Sequence, residues 1–197
     1  MLSSMLSAAL FGASSGALHA VTGPDHVLSM GPMALEPRQA PWRIGVSWGI
    51  GHAVGTLVLA LPVLGLAGAL RLQLLASIGE RVAALALLAT AIWSYFHSRH
   101  RVLTSSAPAG RAAIGVGFVH GLTGAASLLL VLPMAASGSL LSSAVFLFAF
   151  AVGSTLGMAV LTSVLARLGA RLDPHLAQRS RQLLCAATVA LALVWLL

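Results

Sequence analysis

Six stretches of predominantly apolar residues run along the chain, at 4–34, 44–70, 74–97, 112–134, 139–166 and 180–197. Short polar segments separate them, at Glu36–Arg43, Arg71–Arg81, His97–Arg111, Ala136–Ser139 and Arg167–Arg181. About 20 apolar residues in a helix cross the hydrocarbon core of a bilayer, so the pattern predicts an all-α membrane protein with six transmembrane helices. The first stretch is too long for one straight span and contains Gly23-Pro24. Pro24 has no amide hydrogen and clashes with the carbonyl of Ala20, while Gly23 tolerates unusual dihedrals. The first helix is therefore expected to break there. Met1–Ala20 has the small residues of a signal peptide but not its positive n-region, and reads as the start of that helix.

The apolar pattern also repeats. Gly16-Ala-Leu-His-Ala-Val-Thr-Gly23 aligns with Gly117-Phe-Val-His-Gly-Leu-Thr-Gly124 at an offset of 101, which also pairs Pro32-Met33 with Pro133-Met134. At an offset of 102, Gly51-His-Ala-Val-Gly55 meets Gly153-Ser-Thr-Leu-Gly157. The division is a three-helix repeat over 1–98, a cytoplasmic linker over 99–111 and a second three-helix repeat over 112–197. An odd number of helices per half turns the second repeat upside down. Inverted repeats with a site at their interface are an architecture of secondary transporters.

Composition changes the picture by excluding classes. The chain is 58% hydrophobic and 8% charged, against about 25% charged in a soluble domain. The net charge of +7 comes from eleven arginines without a lysine. They lie between apolar runs and line no basic groove, so a nucleic-acid partner is not expected. Nine of them fall in the first, third and fifth loops, and Arg71 and Arg81 in the second. The positive-inside rule then puts the odd loops in the cytoplasm and both termini outside, in a bacterial cytoplasmic (inner) membrane. Cys185 is alone, which leaves no disulfide framework or redox motif.

Ionisable residues inside a span are costly unless they are used. Asp25 is the one carboxylate that does not fall in a loop; Glu36, Glu80 and Asp173 do. It sits in His19-Ala-Val-Thr-Gly-Pro-Asp25-His26. On an unbroken helix His19 and His26 would share a face but stand roughly 10 Å apart along the axis, too far to ligate one ion. The Gly-Pro break lets them approach. Imidazoles with one carboxylate suit nickel, cobalt, zinc or iron. His52, nine residues past Arg43, and His120, nine past Arg111, reach a similar depth, as do Ser154 and Thr155 before Arg167. The predicted metal site is His19, Asp25, His26 and His52, with His120, Thr22, Ser154 and Thr155 as supporting groups. His97, His100 and His175 read as interfacial residues, and Met30, Met33 and Met134 as packing.

The His-x5-Asp-His segment, the following Gly51-His52 and the later Gly117-Phe-Val-His-Gly-Leu-Thr-Gly124 resemble the nickel/cobalt transporter superfamily (the NicO/NiCoT group), above all its shorter six-helix, urease-accessory UreH-type members. The resemblance implies Ni2+ or Co2+ as transported substrate, without a resident cofactor or enzyme activity, and a metalloenzyme maturation system such as urease as a partner beside the lipid bilayer. It makes His19, Asp25 and His26 metal-selecting and His52 the histidine of the next helix. The larger members carry His-x4-Asp-His on a second helix; here the spacing is one residue longer and the helix is the first. The expected function is transport of a divalent metal ion by alternating access. The alternatives are a non-transporting accessory scaffold and a sulfite-type anion exporter, which would want an Arg or Lys at mid-membrane.

Overall fold

A computed structural model describes residues 2–35, 40–66, 81, 84–85, 88–89, 92, 107–123 and 139–196. Among them the chain is helical throughout, and six helices account for nearly all of it: α1 (Leu2–Thr22), α2 (Pro24–Ala34), α3 (Trp42–Leu66), α4 (Ala107–Thr123), α5 (Leu140–Ala170) and α6 (Pro174–Leu196). By length and composition, α1 and α5 are apolar enough to cross a membrane. Most of the third expected span, 74–97, the distal part of the fourth, and His97, His100 and Met134 lie outside the described residues.

The first expected span is two helices. Gly23 (φ −65°, ψ 114°) is extended and caps α2, and Pro24 opens that helix, a position where its missing N–H costs little. Gly23 N still donates to His19 O at 3.0 Å, so α1 closes normally. The Gly23 carbonyl then accepts from His26 N at 3.1 Å and Val27 N at 3.2 Å, which starts the next helix at once.

Two boundaries differ from the sequence pattern. The helix expected from 112 begins at Ala107, shortening the linker; Pro108 falls in its first turn, where proline is tolerated. The loop expected over Arg167–Arg181 shrinks to a turn at 171–173, so Arg167, Arg179 and Arg181 lie on helices. Asp173 explains the second case. Its carboxylate accepts from His175 N at 2.8 Å and its carbonyl from Ala177 N at 2.8 Å, capping α6 directly before Pro174.

Small residues set how the helices cross. A methyl added at Gly16 on α1 would land on the carbonyl oxygen of Phe150 on α5, and one at Gly117 on α4 on that of Trp48 on α3. The match continues: Gly153 meets Ala13 O where Gly51 meets Ile114 O, and Gly157 meets Ala17 O where Gly55 meets Phe118 O. Every pair is related by the 101 and 102 offsets found in the sequence. The α1–α5 and α3–α4 crossings are thus built to one plan. They are joined where Gly45 and Gly49 of α3 press on Met158, Thr162 and Thr155 of α5.

Helix α2 packs against α5 and α6. Gly31 lies under Leu184, and the Thr188 hydroxyl donates to Leu28 O at 3.1 Å. The core gathers Ala20, Met30, Met33, Ile44, Trp48, Ala113 and Met158 from α1 to α5. The opposite faces are apolar too: Leu6, Leu10, Phe11 and Leu18 on α1 and Phe148, Leu156 and Val160 on α5 are exposed.

Candidate metal-ion site

The α1–α2 break folds the chain back so that His26 meets His19, with ring centroids 4.6 Å apart. From α3 comes His52, its ring 5.8 Å from His19 and 5.3 Å from His26. From α4 comes His120, 5.1 Å from His26. Nitrogens of His19, His26 and His52 lie within 4.8 Å of one another, and donor atoms of Asp25, His26 and His120 meet the same limit. His26 belongs to both sets. Four helices therefore deliver five ligand-capable side chains to one place.

The hydrogen bonds assign roles. His26 Nδ1 is 3.2 Å from His19 O; a carbonyl only accepts, so Nδ1 carries the proton and Nε2 presents a lone pair. That is the arrangement by which a backbone carbonyl orients a metal-binding histidine. His120 Nε2 lies 2.7 Å from Asp25 Oδ2, which ties the carboxylate to α4, while His26 Nε2 is 4.0 Å from the same oxygen. Asp25 also sits in the first turn of α2, where the helix dipole favours a negative charge.

Burial without partners is the decisive feature. His26, His52 and Trp48 are at most 1% exposed. Among the described residues, the buried side-chain nitrogens and oxygens without a hydrogen-bond partner are His19 Nε2, His26 Nε2, Trp48 Nε1 and both nitrogens of His52. Each such group costs about 1–3 kcal/mol. Their concentration in one cluster marks a place prepared for a ligand. Three imidazoles beside one carboxylate fit a borderline divalent transition metal rather than magnesium or calcium, which want oxygen. An ion about 2 Å from each nitrogen would bring its ligand atoms to roughly 3 Å apart, closer than the 4.8 Å limit within which they now lie.

Of the residues singled out in the sequence, His19, Asp25, His26, His52 and His120 come together. Thr22 does not: it is exposed and its hydroxyl donates to Leu18 O at 2.8 Å. The hydroxyls of Ser154 and Thr155 turn to Ala151 O on their own helix, at 3.1 and 2.8 Å. Helical Ser and Thr commonly bond back to the preceding turn, and depth alone could not reveal that choice. Trp48 was missed as a site residue, although its i, i+4 spacing from His52 puts both on one face of α3. Its ring stacks on His52 at 5.1 Å. Phe150, its counterpart at the 102 offset, lies 5.6 Å from His19.

No family model matches the chain, and no solved structure matches it significantly. It is similar to two proteins of Arabidopsis thaliana. One is Chloroplast protein FOR GROWTH AND FERTILITY 2, 30% identical over 170 residues that cover 78% of this chain and 45% of that protein. The other is Chloroplast protein FOR GROWTH AND FERTILITY 1, 29% identical over 183 residues, or 82% and 50%. The chain thus spans about half the length of the curated relatives it matches.

Proposed function

We propose that this chain carries a divalent transition-metal ion across a membrane, binding it at His19, Asp25, His26 and His52. One observation carries the reading: the partnerless buried nitrogens of three histidines converge where a carboxylate is also at hand. The exposed apolar faces of α1 and α5 support the membrane part, since such faces are costly in water and ordinary in lipid. Nickel is the first choice of cargo and cobalt the second, on the resemblance of the His-x5-Asp-His and Gly-His segments to the nickel/cobalt transporter superfamily. The relatives are named for the chloroplast, growth and fertility; the reading requires only a membrane between two aqueous compartments.

Alternating access follows from the shared plan of the two crossings. The matched glycine contacts support a pair of inverted repeats, each lending its first helix to the second helix of the other. The moving bodies are then α1–α5 and α3–α4 rather than the sequential halves. The ion lies between them, held by His19 from one and His52 from the other, with α2 adding Asp25 and His26. An anion exporter is less well supported, because the buried polar groups at this level are imidazoles and a carboxylate. Cells expressing the chain should accumulate or lose radiolabelled nickel in a chain-dependent way, and His19→Ala and Asp25→Ala should each abolish the difference. Normal handling by both variants would remove the site from the mechanism.

A further inference from the structure

Ligation by the histidines leaves Trp48 unexplained. Its indole is fully buried, stacks on His52 with an interplanar angle of 17°, and lies 5.2 Å from both His26 and His120. A ring at this position suffices for packing, as Phe150 demonstrates beside His19 at the matching place. Indole differs in carrying an N–H that can only donate, and Trp48 Nε1 has no acceptor. His52 makes a related demand. A neutral imidazole holds one N–H and one lone pair, and both of its nitrogens are buried without partners. A metal ion takes the lone pair and leaves the N–H. That N–H points away from the ion, whereas the Trp48 donor on the stacked ring still needs an acceptor, and imidazoles whose lone pairs face a metal offer none.

We propose that the ion travels with a small acceptor ligand of its own, a water-derived oxygen or a halide, hydrogen-bonded by Trp48 Nε1–H. This rests on the metal-transport reading. His19, Asp25, His26 and His52 supply four ligands, which leaves a position open on an ion that expands to five or six, and that position is where the acceptor sits. Trp48 is a positioning residue: it touches the cargo's companion ligand and selects which form of the ion fits.

The test uses the purified full-length chain in detergent with Co2+ as probe, reading affinity by chelator competition and coordination by visible absorption. Trp48→Phe keeps the stacked ring and removes the donor. The variant is expected to bind Co2+ about tenfold more weakly, the loss of one hydrogen bond to a polarised ligand, with an altered absorption spectrum. Its metal-free form should melt at a higher temperature, because an orphaned donor is gone. A purely structural role would instead lower the melting temperature and leave the spectrum alone. Repeating the titration with chloride replaced by sulfate separates the sources. A wild-type response that disappears in Trp48→Phe identifies the halide, and no response identifies the oxygen ligand. Wild-type affinity and spectrum in Trp48→Phe would overturn the proposal. Should that variant not fold, benzothienylalanine at position 48 removes the N–H at constant shape and is judged by the same readouts. If His26→Ala abolishes binding while the position-48 variants match wild type, this inference alone fails. If wild type binds no Co2+, the metal reading fails and takes this one with it.

Discussion

The 2.7 Å contact between His120 and Asp25 separates two ways in which a histidine can serve a metal. His26 and His52 offer lone pairs that nothing among the described residues uses, whereas Nε2 of His120 is engaged with the carboxylate. Removing a ligand and removing its orienting group differ in consequence. His26→Ala is expected to abolish measurable metal binding. His120→Ala should weaken it by about 10–100-fold while keeping the same ligand set, as checked by chelator competition and Co2+ absorption. Proton competition gives a further sign. An imidazole binds metal only when unprotonated, and its ordinary pKa is about 6.5. Affinity should therefore fall in acid, where the ligands take up protons, and recover on return to neutrality. A pH-independent titration would mean that the histidines are not the ligands.

At the scale of elements, Pro24 and the crossing glycines make distinct claims. Pro24→Ala restores an N–H that can donate to Ala20 O and lets α1 run on into α2. The two histidines then separate along the axis, so metal affinity should collapse while helix content holds or rises by circular dichroism. Gly117→Ala drives a methyl onto the backbone of Trp48, where only a helix shift can relieve it, and should cost about 1–3 kcal/mol or more. Gly115→Ala, two residues away with nothing within 4 Å, should be neutral or stabilising by up to about 1 kcal/mol. Thermal melts of the two variants side by side decide the matter.

These elements also mark what could be read beforehand. The helix break was legible because glycine followed by proline is a local signal. The matched glycines were legible as a repeat, yet nothing local says that Gly16 packs on Phe150 of the other half rather than within its own. The coming together of His19, His26, His52 and His120 was approachable through depth, since few ionisable residues share it. Depth failed for Ser154 and Thr155, because a helical hydroxyl has its own backbone within reach. Trp48 was hidden by its apolar character: in a chain of this composition an aromatic ring reads as packing, and only an N–H without an acceptor distinguishes it.

For the whole molecule, the proposed arrangement places nine of eleven arginines on one side of a bilayer and both termini on the other. Reporters fused at each end should both score as external, and opposite scores would break the six-span topology. On the proposed reading the two glycine-seamed pairs, joined at α3–α5, hold the metal site between two bodies, which is what alternating access requires. The most direct measurement is metal flux into sealed proteoliposomes containing the purified chain and a trapped metal-sensitive dye. A dye response to external Ni2+ or Co2+ is expected, with little response to Mg2+ or Ca2+ and loss of the signal in His26→Ala protein reconstituted to equal density. Equal flux through wild type and His26→Ala, or none through wild type that binds the metal in detergent, would contradict transport through this site.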